Sequence, residues 1–122
     1  MHSYKNTKAN ILKLQKMKTN IQSIGFTAQP ALVEFINEKT NKLKHHLENI
    51  ISCEVTLSTD NSSTKENKVC HIRLVIPGND LLASSQNKTF EEAASHTSDS
   101  LIKQIEKYKT KILSKRVGID DI

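Results

Sequence analysis

The sequence predicts an α+β domain in the order β–α–β–β–β–α, a four-stranded mixed sheet with two helices packed on one face. Three observations carry this prediction. Residues 51–59 alternate apolar and polar side chains, as half-buried strands do, and 68–76 sets Cys70, Ile72, Leu74 and Ile76 at every second position. Two other segments space their apolar residues by three, four or seven, as amphipathic helices do: Leu32, Ile36, Leu43 and Leu47, then Leu101, Ile105, Tyr108 and Ile112. Finally, the strand-like segments of the middle follow one another through short loops, so they pair antiparallel and leave one face for both helices.

Residues 20–24 read as a short strand entering a turn at Gly25. Pro30 opens the first helix, since its missing N–H is not needed at a first helical position. Val33 and Thr40 flank its apolar stripe, Lys39, Lys42 and His46 run along one side, and the helix should end near Glu48–Asn49. In the strand at 51–59, Ile51, Cys53, Val55 and Leu57 point inward. Residues 60–67 (DNSSTKEN) form a loop of turn-forming and charged residues. The strand at 68–76 turns Cys70, Ile72, Leu74 and Ile76 inward and His71 and Arg73 outward. A tight turn over residues 77–80 (PGND) leads to a strand at 81–87. Thr89 and Glu92 then make a capping box: the hydroxyl accepts from the Glu92 N–H and the carboxylate reaches back. A long helix follows, with Phe90, Ala94, Thr97, Leu101, Ile105, Tyr108 and Ile112 on its buried stripe.

A chain of 122 residues fits one domain, expected at 17–116. Residues 1–16 are polar and basic, with Ile11, Leu12 and Leu14 as apolar anchors. They read as a flexible extension, either a leader with no role or a nucleic-acid-contacting arm, and Met17 is an alternative start. Residues 117–122 read as a frayed tail. No apolar run reaches the roughly 18–20 residues of a membrane span, and no secretory signal is seen. Cys53 and Cys70 are expected to be free buried thiols in a reducing cytosol.

Charge carries the functional signal. Eighteen Lys and Arg against thirteen Asp and Glu give +5, a moderate excess compatible with nucleic acid. Six of the basic residues lie within 101–116 (LIKQIEKYKTKILSKR), against one acid, Glu106. Lys103, Lys107 and Lys111 recur every four residues and form one ridge beside the apolar stripe. Like charges one turn apart repel and weaken the helix. Such a ridge suits a polyanion, and phosphate is the obvious one. Part of the order, acids early and bases late, also complements the helix dipole.

Several segments together resemble the ribosome hibernation-promoting factor family, also called ribosome-associated inhibitor or light-repressed proteins. They are residues 20–24 (NIQSI), 32–36 (LVEFI) with Lys39, Lys42 and Leu43, 50–57 (IISCEVTL), 76–81 (IPGNDL), 90–93 (FEEA) and 104–109 (QIEKYK). The resemblance runs from about Met17 to Arg116. It implies the same β–α–β–β–β–α fold and binding to the small ribosomal subunit where messenger and transfer RNAs would lie, blocking translation under stress or in stationary phase. It matches Lys39, Lys42, Lys107, Lys109 and Lys111 to basic positions the family uses. Lys103 joins them through the ridge, and Arg73 on the geometry of its strand. The implied partners are the small subunit and its rRNA, with no membrane, no small-molecule substrate and no cofactor, for a cytoplasmic protein that is monomeric off the ribosome. Longer members carry a C-terminal domain that pairs two ribosomes, and this chain stops soon after its second helix, so direct pairing through that domain is not expected. Ser95 stands where many members have Asp, and residues 1–16 have no counterpart in the family.

Catalysis finds little in the sequence, and no catalytic or metal-binding residue is assigned. Only Gly25, Gly78 and Gly118 are present, too few for a phosphate-cradling glycine loop. His45 and His46 point about 100° apart on a helix and cannot chelate one ion together; they read as solvated helix-end residues. Cys53 and His71 are expected on opposite sheet faces, which argues against a nucleophile–base pair. The main rival reading is a general double-stranded or structured RNA-binding module, whose α–β–β–β–α order is close. The acidic start of the last helix, Glu91 and Glu92, argues against it.

Overall fold

The computed structural model describes residues 17–61 and 65–117, with side chains through Leu113. The expected extension 1–16 and, beyond Val117, the expected tail lie outside the described residues. The elements are β1 (Lys18–Ser23), α1 (Pro30–His46), β2 (Ser52–Thr59), β3 (Lys68–Ile76), β4 (Asn79–Asn87) and α2 (Phe90–Val117). The strands lie side by side in chain order. β1 runs parallel to β2, and the β2–β3 and β3–β4 pairs are antiparallel, so the sheet is mixed as expected.

Parallel neighbours need a crossover, and α1 supplies it. It runs back against β1 so that β2 can start at the same end. Two antiparallel steps later β4 also points along β2, and α2 returns against it. Both helices therefore run in the same direction across one sheet face. Side chains fix this at both ends. Just before α1, the Phe26 ring stacks on Phe90 at the start of α2, centroids 4.9 Å apart and 15° from coplanar. At the end of α1, His46 Nδ1 lies 3.5 Å from Glu106 Oε1. α2 then continues past α1 through residues 107–117, an overhang of about 16 Å.

The core lies between the sheet and the helices. Cys53, Val55, Leu57, Cys70, Ile72 and Leu74 of the sheet meet Ile36 and Leu43 of α1 and Leu101 and Ile105 of α2, all at or below 1% exposure. Buried Thr97 directs its hydroxyl to the carbonyls of Ala93 (2.7 Å) and Cys70 (3.1 Å), which ties α2 to β3 without stranding a polar group. Gln104 Nε2 donates to the Leu82 carbonyl at 2.7 Å and ties the same helix to β4.

Several boundaries differ from the expected ones. β1 starts at Lys18, because its backbone N–H donates to the Ile51 carbonyl and opens the parallel ladder there, and Ile24 is left 55% exposed. α1 stops at His46: Leu47 turns extended while its N–H still donates to the Leu43 carbonyl. Ile51, expected inward, is 55% exposed, because β2 starts at Ser52 and Ile50 fills the core instead. The β3–β4 turn is only Pro77–Gly78. Pro77 presets its own φ and Gly78 takes φ +78°, so Ile76 already pairs with Asn79, and Asn79 and Asp80 are strand. In the capping box Thr89 Oγ1 accepts from the Glu92 N–H at 3.1 Å, as expected. The hydroxyl itself also faces the Glu92 carboxylate at 3.3 Å, in place of a reach back to the backbone. Ile112 was expected in the buried stripe and is 36% exposed, because it lies on the overhang.

The burial pattern sets two expectations. Leu101→Ala should cost about 2–5 kcal/mol in urea unfolding, whereas Ile112→Ala should stay within about 0.5 kcal/mol, although both occupy the same helical stripe. The cysteines give a pH signature. Burial pushes the Cys53 thiol up to about 12 and the Cys70 thiol to about 11, from an ordinary 9.0. The folded state then holds these protons after the unfolded chain has released them. Stability from this source is complete below pH 9.0 and is lost as pH rises toward 12. Melting temperatures measured across that range should fall, and a Cys53→Ala, Cys70→Ala variant should show a shallower fall.

Candidate nucleic-acid interface

The helix layer carries every candidate lysine, and the packing of the two helices sorts them. On α1, Phe35, Lys39, Lys42 and His46 follow each other at steps of four, three and four, so they share one flank. The His46–Glu106 contact identifies that flank as the side toward α2. The Lys39 ammonium sits 5.5 Å from the Phe35 ring centroid, a cation–π contact that holds its stem along the helix. Lys42, one turn on, is exposed.

On α2 the lysines divide between two flanks. Lys103, Lys107 and Lys111 are all exposed and form the ridge expected from their spacing, with a 6 Å rise between neighbours. Gln104, beside the ridge, bonds to β4, so the ridge lies on the β4 side of the helix, away from α1. Lys109 lies on the α1 side. It shares a groove with His45 and His46 at the end of α1, Leu47 and Glu48 of the loop, and Ile112 and Leu113 of the overhang.

Arg73 is not part of this layer. It lies on the outer sheet face, where the register sets Glu54 directly opposite and Asp80 diagonally across. Its Nε and Nη2 donate to Asp80 Oδ2 at 2.9 and 2.7 Å, and Nη1 donates to Glu54 Oε1 at 3.1 Å. Two carboxylates thus answer one guanidinium, and the trio carries a net negative charge. Both acids favour the charged guanidinium, Asp80 most strongly.

The thiols are also remote from the lysines. Cys53 and Cys70 are free and buried on the inner sheet face, while His71 pairs with Thr56 on the outer one. Both histidines sit at the solvated end of α1, and His46, its side chain 36% exposed, also has Glu106 beside it at 3.5 Å. The contact was not visible in sequence, because it depends on the two helices running parallel. The exposed apolar pair Ile112 and Leu113 was missed for a similar reason: periodicity continues past the point where the sheet stops.

Comparison with known proteins agrees with this architecture. Residues 19–113 match the family described as Sigma 54 modulation protein / S30EA ribosomal protein. The chain is 24% identical over 102 residues to a ribosome hibernation promoting factor of Azotobacter vinelandii, across 84% of this chain and 92% of that one. Its fold is similar to a ribosomal subunit interface protein from Coxiella burnetii, with TM-score 0.69 at 19% identity over 77% of this chain and 99% of the other. It is also similar to the N-terminal domain of Protein Y from Thermus thermophilus, with TM-score 0.64 at 14% identity over 76% and 98%. With the matched region running from within β1 to the overhang of α2, this chain belongs to the Sigma 54 modulation protein / S30EA ribosomal protein family, as its resemblance to ribosome hibernation-promoting factors implied.

Proposed function

We propose that this protein is a ribosome hibernation factor that binds the small ribosomal subunit in the mRNA/tRNA decoding channel and blocks translation during stress or stationary phase. The observation that carries the proposal is the second half of α2: a helix that outruns the body and bears exposed Lys103, Lys107, Lys109 and Lys111. The names of its relatives supply the context, one a hibernation promoting factor and one a subunit interface protein.

The action is occlusion, with no covalent step and no cofactor. Lysine ammonium groups displace counterions from rRNA phosphates, a gain that does not depend on sequence. Folded RNA is recognised by the shape of its grooves, and a projecting helix is a shape that enters one. Lys39 and Lys42 extend the basic surface across the seam to α1. Arg73 is left outside the contact surface, because it faces the other way and is already answered by Glu54 and Asp80. The protein acts in the cytoplasm, and off the ribosome it is a monomer. The duplex-RNA module is the weaker reading, since β1 pairs with β2 along all six of its residues and is integral to the sheet.

Charge reversal at Lys103, Lys107 and Lys111 should abolish co-sedimentation with small subunits and whole ribosomes while leaving the circular dichroism spectrum unchanged. A folded triple variant that pellets as well as the parent removes the ridge from the contact surface. The parent protein's affinity should fall log-linearly with salt. About five phosphate contacts give a slope of about −4. A flat response in a salt series would replace phosphate contacts with protein contacts.

A further inference from the structure

We propose that the groove between the end of α1 and the overhang of α2 receives an unpaired RNA base carrying an exocyclic amino group, an inference that rests on the ribosomal reading above. The groove combines three kinds of side chain that a base and its phosphate need together. Its apolar walls are Leu47 and Tyr108, both half-buried, with Ile112 at 36% and Leu113 at 60% exposure. Lys109 stands between the last two in helical angle, so a cation lies beside the apolar surface. Glu48 and Glu106 line the open groove together with His45, His46, Asn49 and Thr110, and the Glu106 side chain is 57% exposed despite its contact with His46.

Each part selects for the same ligand. An exposed apolar strip on a basic helix is poorly served by phosphate or ribose. A base offers an apolar face with a polar edge, and bases in single-stranded loops are recognised by stacking on side chains such as tyrosine. Lys109 is placed to take the phosphate of that nucleotide. The two carboxylates accept hydrogen bonds from the amino groups of adenine, cytosine or guanine. Uracil lacks such a group: it offers a carboxylate only its ring N3–H, flanked by two carbonyl oxygens that the carboxylate repels. The groove is also continuous with the lysine surface yet on the other flank of α2 from the Lys103–Lys107–Lys111 ridge, so base contact and ridge contact are separable by mutation.

The test is fluorescence anisotropy with oligo(A), oligo(C) and oligo(U) octamers at low salt, run beside ribosome co-sedimentation. The expected result is at least threefold tighter binding of the A and C octamers than of U. Leu113→Ser should weaken the A octamer at least threefold; Leu113 is 60% exposed and outside the core, and circular dichroism checks that the variant folds. The Glu48→Ala, Glu106→Ala variant should bring the A-to-U ratio toward one. Charge reversal of the ridge should weaken all three octamers while preserving their ratio. Equal binding of the three octamers by the parent, or an unchanged affinity in Leu113→Ser, overturns the inference. If the parent still pellets with small subunits in that case, only the groove falls; if it does not pellet either, the ribosomal reading falls with it.

Discussion

The parallel pairing of β1 with β2 is the constraint on which the rest of the molecule depends. Two parallel neighbours cannot be joined by a tight turn, so the chain crosses the sheet as α1. That crossover fixes the direction of α1. The two antiparallel hairpin steps that follow fix the direction of α2. With both helices aligned, the Phe26–Phe90 stack at one end and the His46–Glu106 contact at the other hold them in step. The difference in helix length then becomes a projection at a single end of the molecule. An antiparallel β1 would have sent the chain back without this alignment.

The projection costs stability in two ways. Its lysines repel along the ridge, and its apolar residues find no sheet beneath them. It is supported from below by the buried turns at Leu101 and Ile105 and from the side by the Gln104 bond to β4. The late position of its cations also suits the negative end of the helix dipole. Helix formation is therefore driven by the first half of α2, and the second half is carried along by cooperativity.

Much of this was legible in the sequence, and the exceptions have physical causes. The period-two spacing of Cys70, Ile72, Leu74 and Ile76, with His71 and Arg73 between them, marked β3 with correct bounds, although Val69 and Val75 sit on the outer face. The capping box at Thr89 gave the start of α2, because its chemistry is local. Ile51 has the parity of an inward residue yet is 55% exposed, since it lies just before β2 at the sheet's end, where Ile50 fills the core. Asp80 looked like a turn residue, yet Pro77 and Gly78 close the hairpin alone and free it to meet Arg73. Ile112 kept the helical period beyond the sheet: α2 is about 42 Å long and the nine-residue β4 about 30 Å. Helical spacing placed Lys103, Lys107 and Lys111 together, but which flank faces α1 required the tertiary arrangement, and so did the separation of Lys109 from them. Arg73 was placed correctly on the outer face, while its two acidic partners came from strands whose register the sequence did not fix in advance.

Because the helices point the same way, their charge orders add. In α1, Glu34 and Glu38 precede Lys39, Lys42 and Lys44; in α2, Glu91, Glu92 and Asp99 precede Lys103, Lys107, Lys109 and Lys111. On the outer sheet face Lys18 and Arg73 balance Glu54 and Asp80. Along the helix layer, acids therefore lie mostly at the start of the two helices and lysines toward the overhang, interrupted by Glu106. In the field of a polyanion such a body feels a torque before it touches anything, and it turns its overhang forward. Against the rRNA proposed as partner, correctly oriented encounters would become more frequent than random tumbling allows, so the same charges would raise the rate of capture as well as the strength of the contact.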